Sequence, residues 1–525
     1  MPMGADLYDV AIVGGGMAGM ATAARAQAAG LSTLVLEAHG LPGGCAGYFT
    51  QQGFSFDVGA TTLVDFGPGG VGRQFLDEIG CELPPADLID YKAWLPDRTV
   101  CLWRDSDRWA EERLGRFGST PNYRAFWSLL DTLSSTFWRA TRRGATLPLR
   151  SLADLWKNLS AIESRNLHLL RYLPWTMADA MRANRVYSDV ALRTFIGMLV
   201  EDTLHTTIEE APVINAALGV TIRGAALMRV RGGMRGFWGA VAPCYNALGG
   251  TLKVGHTVQK IEHSASGYCL QTTKGMFRAI CVVSALPAAN TYHIASEPVK
   301  KKLFAHVQRE RSRLGGALVA FLGVPEAEVS GESFTHHQLF QDYGRPFGYG
   351  NNMFISVSSP CDLLSAPAGY RAVMVSTHCG VAEWENLLPE DYAEKKAAAQ
   401  RSLLENARRV FPRLGERAVI AKFGTPKTYL RFTRRHRGAV GGVKQTLWNT
   451  NFFALPQDIG IPNFFLVGDS TWPGLGTVAC IAGSRIAADA VLGSMARVQS
   501  TAQRNDMVKS HFGQTHRGRE LPATR

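Results

Sequence analysis

Three textures of apolar and polar positions follow one another along the chain. The first is a β-branched run, Leu7-Tyr8-Asp9-Val10-Ala11-Ile12-Val13, that enters Gly14-Gly15-Gly16-Met17-Ala18-Gly19 and leaves through an Ala-rich segment. A second apolar run, Leu34-Val35-Leu36, closes on Glu37, eighteen residues after Gly19. This order predicts a strand, a tight turn, a helix and a second strand, a βαβ unit. Phe54-Ser55-Phe56-Asp57-Val58 alternates like a further strand and runs into the small residues Gly59-Ala60-Thr61-Thr62.

From about residue 70 to residue 228 glycines thin out, and Trp, Leu and Arg recur at helical spacing. Tyr123, Phe126, Trp127, Leu130, Leu133 and Phe137 share one face of a predicted helix that ends in Arg139, Arg142 and Arg143. Such a stripe either faces a core, its basic last turn favoured by the helix dipole, or lies on anionic lipid. Short strands are predicted again from Gly249-Gly250-Thr251-Leu252-Lys253-Val254 through Val258 to Cys281-Val282-Val283-Ser284. Between about 288 and 459 further strands are predicted at Gly316–Gly323, Met353–Val357 and Tyr370–Ser376, with a helix over Tyr392–Val410. The last unit reads as a strand, Phe464-Phe465-Leu466-Val467-Gly468-Asp469-Ser470, a loop, Thr471-Trp472-Pro473-Gly474-Leu475-Gly476, and a helix opening at Thr477-Val478. Beyond Arg497 the chain is polar and basic without periodicity.

The glycine turn carries the first chemistry. In a βαβ unit Gly14 permits the tight turn, Gly16 lets the backbone approach a pyrophosphate, and Gly19 allows helix to pack on strand. Glu37 stands where a carboxylate accepts hydrogen bonds from a ribose diol. The turn alone suits NAD and FAD equally. A second glycine cluster, Pro42-Gly43-Gly44-Cys45-Ala46-Gly47, follows just past the second strand.

Composition narrows the partners. With 46% apolar and 19% charged residues the chain is a folded globular protein, and 525 residues imply two or three domains. A formal charge of +12 suits an acidic ligand, an anionic membrane or a plain solvated surface. No helix-turn-helix, zinc-finger or RNA-binding signature accompanies it, so nucleic acid is not an expected partner. The nine cysteines form no C-x-x-C pair, which predicts reduced thiols in a cytoplasmic compartment and no metal. A first strand at Leu7 leaves no room for a signal peptide, and no run reaches the ~18 apolar residues of a membrane span. The expectation is a cytoplasmic protein that associates peripherally with membrane.

Five stretches together resemble the FAD-dependent carotenoid desaturase and isomerase family, relatives of the amine oxidases, over about Tyr8–Leu492. They are the first glycine loop; Gly43–Tyr48 with Phe56-Asp57-Val58-Gly59-Ala60; Arg231-Gly232-Gly233-Met234; Thr425-Pro426-Lys427-Thr428 leading to Arg437–Gly442; and Gly468-Asp469-Ser470-Thr471. Within the family the chain is most similar to cyanobacterial-type carotenoid 3′,4′-desaturases, through Trp103-Arg104-Asp105, His336-His337-Gln338 and Phe354–Ser358.

The resemblance implies FAD and a set of cofactor contacts. Gly14, Gly16 and Gly19, with Met17 and Ala18, would hold the diphosphate, and Glu37 the adenosine ribose. Gly43, Gly44, Cys45 and Ala46 would lie on the ribityl–flavin side, and Val258 would offer its backbone to adenine. Gly468 and Asp469 would meet the diphosphate or ribityl hydroxyls, and Val478 the flavin pyrimidine edge, where a helix N-terminus stabilises negative charge on the reduced ring. The implied fold class is α/β. A Rossmann-like FAD-binding domain is assembled from residues 1–70, 225–290 and 460–495. A mixed α+β substrate-binding domain with a helical, membrane-facing part takes 71–224 and 291–459, and a flexible basic tail takes 496–525.

The implied reaction is desaturation of a long-chain carotenoid, with hydride passed to flavin N5. Carotenoid cis–trans isomerisation on reduced FAD, or a polyene or retinoid saturase, is the alternative; amine oxidation fits less well, because Arg431, Arg434, Arg435 and Arg437 would not attract a cation. The sequence names neither an electron acceptor nor a catalytic base. His336-His337 lack zinc spacing and read as packed or solvated histidines, with an acid–base role as the alternative. Glu201, Asp202 and His205 cluster without a motif. Trp472 and Leu475 stand where relatives often carry Phe and Gln.

Overall fold

A computed structural model describes residues 7–221, 227–264 and 267–515, with side chains through residue 500. The predicted βαβ unit is present: β1 (Leu7–Val13), α1 (Met17–Ala28) and β2 (Thr33–Leu36). β1 is central and parallel, flanked by β2 on one side and by the strand Gly275–Ser284 on the other. The sheet continues outward through Thr251–Lys253 beyond β2, and through Gly267–Thr272 and Val258–Ser264 beyond Gly275–Ser284. Phe464–Leu466 adds to the end of Gly275–Ser284 in parallel. A central parallel strand is covered on both faces, which is why Val10-Ala11-Ile12-Val13 is an unbroken apolar run with no exposed member. α1 is rich in alanine because it lies between this sheet and the C-terminal helix Thr477–Thr515, and Met17 through Ala26 are buried there. A Cβ on Gly19 would overlap the Gly14 carbonyl, so the third glycine of the turn sets the helix–strand distance.

A second sheet of seven strands runs in the order Ile420–Gly424, Gly315–Pro325, Tyr370–Gly380, Asn352–Val357, His336–Phe340, Tyr91–Trp94 and Thr99–Leu102. Its pairs are antiparallel except that between His336–Phe340 and Tyr91–Trp94. The helix Pro389–Ala407 covers one face through Leu403 and Ala407; the hairpin Tyr48–Gln51/Phe54–Asp57 packs on the other through Phe54 and Phe56. The Trp-rich helices fill one end of the sheet. In Pro121–Arg142 the stripe residues Phe126, Trp127, Leu130 and Leu133 are buried in a core shared with the helices Met177–Ala183, Val190–Leu204 and Val213–Thr221. That stripe therefore faces a core and not lipid. Its terminal arginines are engaged as well, Arg139 with Glu163 and Arg142 with Asp65.

Three boundaries differ from those read in the sequence. The helix Val71–Glu78 packs Val71, Phe75 and Leu76 into the core around β1. The helix Glu297–Glu310 lays Val299 and Leu303 against the other face, beside Ala11 and Leu34. Both were expected in the substrate domain, but a two-faced sheet needs apolar cover on each side and these amphipathic segments supply it. The tail expected over 496–525 is helical as far as Thr515, its Ala, Gln, Met, Arg and Lys being good helix formers, and its remainder lies outside the described residues. Within this helix Thr477–Ser500 is long and apolar enough to cross a membrane, unlike the sequence expectation, yet half of that stretch is buried in the fold.

Candidate active site

A cavity of about 1230 Å³ runs between the two sheets. One wall is made by the glycine loops. At the end of β1, Gly14 N–H donates to the Leu36 carbonyl (2.9 Å), and Gly15 N–H donates to Glu37 Oε2 at 2.6 Å. The other carboxylate oxygen, Oε1, accepts from His39 N–H at 2.7 Å. Burial pushes the Glu37 carboxyl above the usual range, and the two N–H donors oppose it. The second glycine cluster docks on the first: Gly43 N–H donates to Gly15 O at 2.8 Å, and Gly43 bridges Gly16. Gly43 has φ +127°, and a Cβ there would stand 2.6 Å from Gly47 Cα and 2.7 Å from Trp238 Nε1, so no side chain fits. Trp238 Nε1–H instead donates to Ala46 O at 2.7 Å and holds the loop.

Gly16 and Gly44 present bare backbone. A Cβ on Gly16 meets nothing nearer than 4.0 Å, and one on Gly44 meets only Gly16 Cα at 3.4 Å. The two glycines thus leave a cradle that a Cβ would partly fill, as close approach of a diphosphate and flavin requires. Opposite, Asp469 Oδ2 accepts from Arg435 Nη2 at 2.6 Å, and Arg435 Nε donates to Ala439 O at 2.8 Å. Although burial disfavours the charge, Asp469 and its neighbours hold Arg435 firmly protonated. The helix opening at Thr477 points its first turn at the same space, with Val478 on the lining.

Of the residues picked from sequence, Gly14, Gly16, Met17, Ala18, Glu37, Gly43, Gly44, Cys45, Ala46, Gly468, Asp469 and Val478 line this one cavity. Gly19 and Val258 do not line it: Gly19 works in helix packing, and Val258 is buried beside Val13 and Leu36. Cys45 is raised by burial and stays a thiol. Leu475 reaches the cavity; Trp472 is buried away from it.

The opposite wall is the second sheet. Val319 and Phe321 come from Gly315–Pro325, Phe354 and Ser356 from Asn352–Val357, and Met374, Ser376 and His378 from Tyr370–Gly380. Period-two alternation put Met374, Ser376 and His378 on one face, a signal readable in the sequence had the strand been carried two residues past Ser376. His336 and His337 are buried along this wall with their ring nitrogens engaged. His337 Nε2 pairs with Phe334 O (2.9 Å) and Nδ1 accepts from Trp94 Nε1 (3.3 Å); His336 faces Thr335 and Ser356 hydroxyls. Burial lowers the His337 pKa to about 4. They are packed histidines. Asp202 and His205 also line the cavity, and His205 stacks near His378 with ring centroids 4.6 Å apart. No cluster of potential metal ligands occurs among the described residues.

Comparison with known proteins agrees with this geometry. The profile of the flavin containing amine oxidoreductase family matches residues 17–492. Prolycopene isomerase 1, chloroplastic, of an Oncidium hybrid cultivar is 27% identical over 521 residues, covering 92% of this chain and 84% of its own. A lycopene-forming phytoene desaturase of Pseudescherichia vulneris is 24% identical over 511 residues, covering 92% and 98%. Among solved structures, a double mutant of putrescine oxidase has the same fold, with TM-score 0.62 at 16% identity over 93% of this chain and 99% of its own. The glycine cradle, the helix aimed at it and the family match over nearly the whole chain lead to one conclusion: the protein belongs to the flavin containing amine oxidoreductase family and is an FAD-dependent oxidoreductase similar to carotenoid desaturases and isomerases.

Proposed function

We propose that the protein desaturates a long carotenoid held along the second sheet, at a membrane surface. The observation that carries this reading is the character of the cavity wall beyond the glycine loops. Ala317, Val319, Phe321, Phe354 and Met374 form a hydrocarbon-lined face continuous with the cofactor cradle. A cationic amine would meet more positive than negative charge there. The described acidic lining residues are Glu37, Asp202 and Asp469, of which Glu37 is held by backbone N–H groups and Asp469 by Arg435, while Lys396, Lys422, Lys427 and Arg431 add positive charge.

FAD, when bound, would supply a two-electron acceptor for the hydride of a broken C–H bond. The chain's own part is to bind and exclude water. Gly16 and Gly44 admit the cofactor, the Thr477 helix offers its N-terminal dipole, and the apolar wall aligns a flexible polyene and keeps solvent out. A second reading is cis–trans isomerisation, favoured by the prolycopene isomerases, which match at up to 27% identity. Anaerobic mixing of FAD-loaded protein with acyclic carotenoids separates the two. Desaturation lengthens the chromophore, shifts absorption to the red and bleaches the flavin; isomerisation leaves the composition of the pigment unchanged. No reaction with any polyene would remove both.

Access to so apolar a substrate is by peripheral docking on a membrane, at its cytoplasmic face. Support comes from the charge of +12 and from large apolar side chains left in solvent: Leu152 (77% exposed) and Trp156 (72%) on the helix Leu152–Ala161, with Trp448 (68%) and Phe453 (56%) in a loop. Arg150, next to that helix, pairs with Asp458 further along the chain segment that follows the loop. Indole rings and basic residues together are the composition of an interfacial surface.

A further inference from the structure

One group of side chains in the cavity is used neither by the fold's cores nor by the cofactor loops. The helix Val190–Leu204 ends in a left-handed residue, His205 (φ 54°), and its ring lies against His378 of the strand Tyr370–Gly380. Both rings line the cavity. Glu201, one turn before His205, places Oε1 3.6 Å from His378 Nδ1, and its second oxygen accepts from the Asn352 side-chain amide. Space for the rings is made by glycine. A Cβ on Gly441 would overlap His205, and one on Gly315 would stand 3.5 Å from His205 Nδ1. The next residue, Gly442, lies on Asp469, where its Cβ would be 3.1 Å from the Asp469 Cβ. A single strand of backbone therefore separates the imidazole pair from the carboxylate on the cofactor side.

The charges around the pair come from two directions. Glu201 and Asp202 approach from the helix, and Arg435, tied to Asp469, approaches from beyond Gly441. Burial lowers His378, but contact with Glu201 and the charge of Asp202 outweigh it and hold the ring above its usual range. Burial, then His378, then Arg435 all press His205 well below the usual imidazole range. The cavity thus presents a neutral ring at His205, backed by a ring at His378 that Glu201 and Asp202 bias toward its protonated form.

We propose that His205 is the proton acceptor of this cavity, positioned by His378 and Glu201. The assignment rests on the desaturation reading above. As one carbon of a C–C bond gives up hydrogen with its bonding pair to oxidised flavin, the C–H bond on the neighbouring carbon breaks. Its electron pair becomes the new double bond, and its proton goes to the His205 lone pair. The polyene loses two electrons and two hydrogens; the flavin gains the hydride and His205 the proton. A carbon beside an electron-deficient polyene centre is strongly acidic, so a weak base suffices, and a weak base also releases its proton readily for the next turnover.

The test uses FAD-loaded protein and an acyclic carotenoid, followed anaerobically over a single turnover. His205→Gln should slow product formation by about 10²–10⁴-fold while flavin content and polyene binding stay at wild-type level. Glu201→Gln, which does not touch the polyene, should slow it less and displace the pH–rate profile. Ring ¹⁵N spectra of the cofactor-free protein give a readout independent of turnover: His205 is neutral at pH 7 and titrates below His378, and the titration of His378 moves down in Glu201→Gln. Wild-type protein that oxidises no polyene overturns the reading on which this rests. Wild-type protein that does so, beside a His205→Gln variant within threefold of its rate, overturns the proton acceptor alone. A wild-type enzyme that only isomerises, or a protonated His205 at pH 7, overturns it as well.

Discussion

Single atoms decide what each glycine does, and the two ends of one turn give opposite predictions. A Cβ on Gly16 points into open cavity, whereas one on Gly19 overlaps the Gly14 carbonyl. Gly16→Val should therefore yield a folded protein with near wild-type melting temperature in the cofactor-free form but little or no flavin, read as the ratio of 450 nm to 280 nm absorbance. A yellow Gly16→Val protein would show that the cradle is elsewhere. His337 gives a pH prediction. Its pKa is about 4 in the folded protein, against ~6.5 in an unfolded chain. Between these values the unfolded state binds the extra proton, so stability rises with pH; the contribution is complete above ~6.5 and is lost as pH falls through 4. The full difference is about 3 kcal/mol. Urea midpoints of the wild type should fall across that window, and those of His337→Gln should fall less. At this scale the sequence was legible where a residue type has one use. Gly14, Gly16 and Glu37 could be named from spacing alone, since few arrangements need them. The His205–His378 pair joins residues 173 positions apart, and only the packing of helix end on strand brings them together.

Elements meet through a few buried polar links. Asp57, last residue of the hairpin strand Phe54–Asp57, pairs with Arg229 of the strand Met228–Val230, and its Oδ1 accepts from Met234 N–H at 2.7 Å. Arg229 also donates to Ser365 Oγ at 3.2 Å, so one guanidinium ties three chain segments together. Asp57→Asn would leave this cation buried without its partner, at a cost of about 3–5 kcal/mol. Unfolding of the variant should show a loss of that order, and replacing Arg229 by Met in the same chain should recover much of it. A loss under about 1 kcal/mol would mean that water reaches the site. The hairpin packs on the second sheet through Phe54 and Phe56, although its sequence follows the nucleotide-binding unit directly, and the Asp57–Arg229 pair ties it back to the first core. Strands and helices were readable from periodicity, including the stripe of Pro121–Arg142. Which sheet an amphipathic helix covers was not, because Val71–Glu78 and Glu297–Glu310 carry an apolar face that would suit either.

The whole molecule presents an excess of positive charge and an exposed set of Trp, Phe and Leu side chains. Binding to vesicles containing anionic lipid should exceed binding to neutral vesicles and weaken as salt rises, through screening. Trp156→Ala combined with Trp448→Ala should reduce the part that salt does not remove, measured by flotation. Equal binding of the double variant and the wild type would place the docking face elsewhere. The first sheet is built from segments that lie far apart: residues 7–36, 251–284 and 458–466. A ribosome adding ~5–20 residues each second finishes β1 and β2 long before Phe464–Leu466, the strand that pairs with the end of Gly275–Ser284. The pocket for the cofactor therefore closes only after Phe464–Leu466 and the Thr477 helix have been made, and flavin joins the chain no earlier than that. A nascent chain stalled before residue 458 would expose the unpaired end of Gly275–Ser284 and hold no flavin, although every residue of its first glycine loop is already in place.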